Sequence, residues 1–170
     1  YQKEITKVLE DSIKYHKVTS DVEVGSYLSG GVDSSYVVAK AKPNKTFSVG
    51  FEENGFDETK LAHDFSDIMH VKNSSRYISK EDFFSSLPKV QYYTDEPHAN
   101  LSTVPLLFLS ELAAKDVKVV LSGEGSDEMF GGYNEYLEPN IVKLYMKLPS
   151  FIKKSMASVS KKLPHFPGKN

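Results

Sequence analysis

The chain has 170 residues, 39% of them hydrophobic and 26% charged, with a formal net charge of −2. That is the balance of a soluble globular protein long enough for one sizeable core. The absence of cysteine excludes disulfides, a thiolate zinc site and a cysteine nucleophile. It also agrees with a cytoplasmic location. No apolar run approaches a membrane span and no signal-peptide pattern opens the chain, so no membrane partner is expected.

In chain order, Ile5, Val8, Leu9 and Ile13 predict an opening helix. Strand-like segments follow at 22–28, 46–51, 75–78 and 117–121. Helix-like segments lie between them at about 34–42, 57–69, 80–93 and 102–115. This alternation predicts an α/β fold, a mainly parallel sheet with helices on both faces. Ligands of such sheets bind beyond the carboxyl ends of the strands, near the switch in strand order.

Residues 141–170 carry seven lysines and no acid, whereas the remainder carries 14 basic and 23 acidic residues, a net of −9. Apolar residues from Ile141 to Leu163 recur mostly three or four apart, with a break near Pro149. The expectation is a basic amphipathic helical extension whose lysines cover its solvent face. Its apolar stripe needs a partner surface, and self-association to a homodimer is one such partner. Aromatic residues do not interleave with a basic patch, so nucleic acid is not an expected partner. The domain reading is therefore 1–140 as a ligand-binding domain and 141–170 as an extension cut short.

The first strand runs into Ser29-Gly30-Gly31-Val32-Asp33-Ser34-Ser35 and then a helix. Glycines let the backbone reach positive φ and approach a ligand. The N–H groups at a helix start face an anion, and the helix dipole adds about half a positive charge. Ser29, Ser34 and Ser35 add hydroxyls. Asp33 would repel a phosphate unless a divalent metal lies between them, so it points to Mg²⁺. Neither G-x-x-x-x-G-K-[ST] nor G-x-G-x-x-G occurs. The competing interpretation, a turn that merely joins strand to helix, requires neither the serines nor Asp33.

The fourth strand enters a second Gly-Ser loop, Ser122-Gly123-Glu124-Gly125-Ser126-Asp127-Glu128, with three carboxylates within five residues. Clustered carboxylates repel unless a cation joins them. Asp127 is thus a candidate second metal ligand, against the alternative of an acidic helix N-terminus. His63 and His70 share a helix face but lie about 10 Å apart along the axis, too far for one metal. Tyr92 and Tyr93 are expected to pack between helix and sheet.

The first loop resembles the S-G-G-x-D-[ST]-[ST] loop of ATP pyrophosphatases. The ordered set also includes Phe47 to Phe51, Phe56-Asp57-Glu58, Asp95-Glu96-Pro97 and Ser122 to Tyr133. Together these resemble the synthetase domain of glutamine-hydrolysing asparagine synthetases over residues 1 to about 140. The resemblance implies an adenine nucleotide alpha hydrolase-like, Rossmann-like fold using ATP and Mg²⁺. Ser29, Gly30, Gly31, Ser34 and Ser35 would hold the pyrophosphate end of ATP. Leu28 and Val49 would offer backbone groups to adenine, and Ser122 and Gly123 would contact the ribose and α-phosphate. Asp33 and Asp127 would hold Mg²⁺, Asp57 would approach the nucleotide or metal, and Glu124 would be catalytic in forming the acyl-adenylate.

The implied reaction activates the side chain of aspartate as β-aspartyl-AMP, releases pyrophosphate, and amidates with ammonia. The implied partner is an N-terminal glutaminase domain of a parent chain. That domain and a catalytic lysine beyond the second loop are expected to lie outside this piece, which is then expected to bind nucleotide without efficient synthesis. Asn73-Ser74-Ser75 stands where many members carry His-His-Glu. Alternatives are a β-lactam synthetase-like or other amidotransferase with a different acceptor, or a nucleotide-binding piece without activity.

Overall fold

A computed structural model describes residues 1–52, 58–96, 99–133, 136 and 139–160. Asp57, Pro97, His98 and the tail from 161 onward lie outside the described residues. The contacts divide the chain into two compact units, Tyr1–Gly125 and Ser126–Asn170.

Among the described residues, the first unit holds four strands, β1 (Val24–Tyr27), β2 (Lys45–Phe51), β3 (Lys72–Ile78) and β4 (Val119–Leu121). All pair in parallel, in the order β3-β2-β1-β4. The chain lays β2 and β3 to one side of β1 and then returns to place β4 on the other. The loops after β1 and β4 therefore leave neighbouring strands at the switch point, as the alternation predicts.

Side-chain alternation splits the sheet into two unlike faces. On one face, Phe47 clusters with Ala113 and Val117, and Val49 and Phe51 join the cluster of Ile78, Val90, Val104 and Phe108. These side chains pack under α4 (Lys80–Tyr93) and α5 (Thr103–Ala113). Arg76, stacked on Phe108 with its guanidinium 4.3 Å from the ring centre, joins Lys89 at Glu111. The opposite face meets α2 (Val32–Ala41) and α3 (Thr59–Met69). It carries a small apolar cluster, Leu28, Val38 and Ala62, beside a polar layer of Ser26, Thr46 and Ser48. The helix α1 (Gln2–Val18) lies against α2, with the Glu10–Lys40 ion pair between them at 2.6 Å.

Several boundaries differ from the sequence expectations for local reasons. The expected strand over 22–28 is shorter, because the Ser20 hydroxyl engages Val22 on both its carbonyl and its N–H and bends the chain. β4 starts at Val119 rather than 117, because the Val117 N–H continues the turn after α5 to the Ala113 carbonyl. β3 begins at Lys72 rather than 75, since Asn73 and Ser75 belong to the polar face. α4 matches its expected span and starts on a capping box, Ser79 with Asp82. Tyr92 and Tyr93 are mostly exposed and stack edge-on with each other, contrary to the expected packing on the sheet.

In the second unit, α6 (Ser126–Phe130) is followed by α7 (Asn140–Met146) and α8 (Ser150–Ser160), with Pro149 at the expected break. Leu144, Met146 and Phe151 are largely exposed.

Candidate functional site

The loop after β1 gets its shape from a few hydrogen bonds. Gly30 sits at φ +84, and a Cβ there would lie 2.6 Å from the Leu61 Cβ of α3, so only glycine fits. Gly31 is extended and serves as the N-cap of α2 without a side-chain cap. The first intrahelical bond is Ser35 N–H to the Gly31 carbonyl, 3.1 Å. The N–H groups of Val32, Asp33 and Ser34 therefore start the helix with no carbonyl to reach, which is the anion-binding arrangement.

Ser34 is nearly buried, and its hydroxyl is turned into the loop. It accepts from the Ser29 N–H at 3.2 Å, lies 2.9 Å from the Ser29 hydroxyl and 3.2 Å from the Gly31 carbonyl. The Ser29 hydroxyl also accepts from the Gly31 N–H at 3.2 Å. Two of the three loop hydroxyls thus hold the loop in shape. Ser34 would serve an anion through its N–H, whereas the half-buried Ser35 hydroxyl has no hydrogen bond among the described residues.

The loop after β4 comes directly against this helix start. A Cβ on Gly123 would lie 2.8 Å from the Ser34 backbone nitrogen and 3.0 Å from the Asp33 carbonyl carbon. The close approach is of backbone to backbone, and it brings Ser122, Gly123 and Glu124 beside Asp33 and Ser34. The Glu124 N–H donates to the Ser122 hydroxyl at 3.2 Å, closing a tight turn that leaves the Glu124 side chain exposed.

Leu28 and Val49 stand at the strand ends. The Leu28 N–H donates to the Phe47 carbonyl at 2.9 Å, and its carbonyl accepts from the Ser48 hydroxyl at 2.7 Å. Only the carbonyl's second lone pair remains for a ligand. Phe47 turns its carbonyl toward β1, so by alternation Val49 does too, beyond the last rung of the β1–β2 ladder.

Asp33 is exposed in the first turn of α2 and makes no ion pair among the described residues. A single hard oxygen donor beside free N–H groups fits Mg²⁺, which is held by one or two carboxylates together with phosphate oxygens. No group of three or more metal-binding side chains occurs among the described residues.

Asp127 belongs to the second unit. Its carboxylate lies against Gly132, whose N–H donates to the Asp127 carbonyl at 3.0 Å; a Cβ on Gly132 would lie 2.9 Å from Asp127 Cγ. The Tyr133 hydroxyl donates to Glu128 at 2.7 Å. This bond holds Glu128 below the usual carboxylate range and pushes the Tyr133 phenol up to about 12. Residue spacing alone missed two features here: Gly132 as the space for Asp127, and Ser48 as the partner of Leu28. A period-two run of small polar residues across three strands was the available signal for the second.

Residues 4–167 match the family model described as asparagine synthase. The chain is 45% identical over 166 residues to asparagine synthetase [glutamine-hydrolyzing] 1 of Bacillus subtilis, covering 95% of this chain and 26% of that protein. A putative asparagine synthetase of Mycobacterium bovis is 44% identical over 165 residues, covering 95% of this chain and 25% of that protein. The chain thus spans about a quarter of the length of these relatives. Among solved structures, an NMN synthetase from Francisella tularensis aligns with TM-score 0.53 and 14% identity, over 80% of this chain and 60% of that one. An NH3-dependent NAD synthetase from Campylobacter jejuni aligns with TM-score 0.50 and 17% identity, over 78% and 60%. These two likenesses establish the fold, a Rossmann-like α/β sheet, and the family match establishes kinship: the chain belongs to the asparagine synthase family.

Proposed function

We propose that this chain is the ATP-using part of an asparagine synthetase and catalyses amidation of an activated carboxylate. The observation that carries the reading is the contact of Gly123 with the uncapped start of α2. It joins two Gly-Ser loops at the switch point of a parallel sheet. In the proposed reaction, a side-chain carboxylate oxygen of aspartate attacks the α-phosphorus of ATP and pyrophosphate leaves. Ammonia then attacks the acyl carbon of β-aspartyl-AMP, AMP leaves, and the nitrogen loses a proton.

The N–H groups of Val32, Asp33 and Ser34 would receive the charge developing on the departing pyrophosphate, and Ser35 would add its hydroxyl. The Val49 backbone would meet the adenine edge. Ser122 and Gly123 would border the α-phosphate, where Glu124 would take part in forming the adenylate. Asp33 would hold Mg²⁺, which supplies charge neutralisation at the phosphate oxygens when bound. The functional division is proposed as 1–140 for this chemistry and 141–170 for the basic extension. Ammonia would come from an N-terminal glutaminase domain of the parent protein, in the cytoplasm.

Product analysis on the parent protein tests this. With aspartate, ammonia and MgATP, the expected products are asparagine, AMP and pyrophosphate in equal amounts. Release of ADP and phosphate would contradict the reading, and turnover that does not require aspartate would assign a different acceptor.

A further inference from the structure

The face of the sheet beneath α2 and α3 is polar where an apolar layer would be the ordinary choice. Thr46 and Ser48 are essentially buried, and Asn73 reaches both. Buried polar networks are tolerated when every member is satisfied, and their donor directions are then fixed.

Those directions can be assigned from one end to the other. The Ser48 hydroxyl donates to the Leu28 carbonyl at 2.7 Å, and the Thr46 hydroxyl donates to the Lys72 carbonyl at 3.4 Å. Each hydroxyl has one proton, so each must accept from its other neighbour. That neighbour is the Asn73 amide nitrogen, 2.9 Å from Ser48 and 3.0 Å from Thr46. The Asn73 oxygen accepts from the Ser75 hydroxyl at 2.8 Å, which agrees with the same amide orientation.

The end of this chain of bonds is the peptide plane that launches the loop. Its oxygen, on Leu28, is held by Ser48, and its N–H, on Ser29, is held by Ser34. In a continuing parallel ladder the Leu28 carbonyl would accept from the Val49 N–H. The ladder stops at Tyr27↔Phe47, and the Ser48 hydroxyl takes the carbonyl instead. We infer that Asn73 and Ser48 are positioning residues. By fixing the direction of one hydroxyl proton, they set the Leu28–Ser29 peptide plane and leave the Val49 N–H open to the nucleotide. The ligand part of this inference rests on the ATP reading above; the geometric part does not.

Residue-resolved amide hydrogen exchange on the free protein, with ATP titrations alongside, tests it. In Asn73→Asp the new carboxylate accepts only, draws the Ser48 proton to itself and releases the Leu28 carbonyl to Val49. The expected result is about tenfold faster exchange at Ser29 and about tenfold slower exchange at Val49. Ser48→Ala should give the same pair of changes without a new charge, and it carries the test if Asn73→Asp does not fold. ATP affinity should fall about tenfold in both variants. A purely structural role would speed exchange at both amides together, and that outcome, or no change at either, overturns the inference. Opposite changes at the two amides in a protein that never binds ATP would uphold the positioning and defeat the nucleotide reading instead.

Discussion

Gly123→Ala places a methyl group where two backbones already touch. The added Cβ would lie 2.8 Å from the Ser34 nitrogen, whereas ordinary contact begins at 3.4 Å, so the two loops must separate by about 0.6 Å. The opposing atoms include the Asp33 carbonyl carbon and Cβ at 3.0 and 3.2 Å, so no flexible side-chain tip can yield. Overpacking of this kind costs roughly 1–3 kcal/mol of stability. Displacing the Ser122–Glu124 turn from the start of α2 by that distance should lower ATP-dependent turnover of the parent protein by about tenfold to a hundredfold. Gly125→Ala is the control. Nothing lies within 4 Å of its added Cβ, but its φ of +88 strains any other residue, at a cost of roughly 1–2 kcal/mol. Chemical denaturation and ATP titration of both variants should show similar stability losses, with the larger loss of ATP affinity in Gly123→Ala. Wild-type stability and ATP affinity in Gly123→Ala would refute the close approach of the two loops.

Gly132→Ala should push the Asp127 carboxylate off its seat. The crowding should cost roughly 1–3 kcal/mol by urea denaturation, with helix content by circular dichroism unchanged. Glu111 is held below the usual carboxylate range, first by its hydrogen bond with Lys89. Its folded pKa is depressed, so its stabilising contribution is present above the unfolded value near 4.5 and is lost as pH falls through the lower folded value. Urea midpoints of the wild type measured from pH 6 downward should decline in that range, and Glu111→Gln should flatten the decline. Phe47→Ala empties the fully buried centre of the α5 face and should cost roughly 3–5 kcal/mol by equilibrium denaturation.

The alternation of apolar strands and amphipathic helices made the fold readable, because β1, β2, α2 and α5 each bury one apolar stripe or run. The two Gly-Ser loops were readable because each follows a strand-like run and sets glycines, hydroxyls and carboxylates together. The start of β3 was not, since Asn73 and Ser75 are half-buried for hydrogen bonding and hydrophobic alternation cannot register them. The role of Ser34 was legible only in part. Spacing identified it as an anion donor, but its inward-turned hydroxyl depends on the exact course of the chain around Gly30 and Gly31. Leu28 reads as the last residue of a strand, yet its carbonyl leaves the ladder for a side chain twenty residues away. Such long-range partners follow from strand register, which local periodicity does not specify.

The central claim is that the loops after β1 and β4 form a metal-assisted ATP site in this chain. Calorimetric titration of the chain with ATP, with and without Mg²⁺, beside Asp33→Ala, tests it most directly. The account predicts binding that requires Mg²⁺ and is lost in Asp33→Ala while the variant stays folded. Binding that is indifferent to Mg²⁺ and to Asp33, or its absence in a folded wild-type chain, would contradict it.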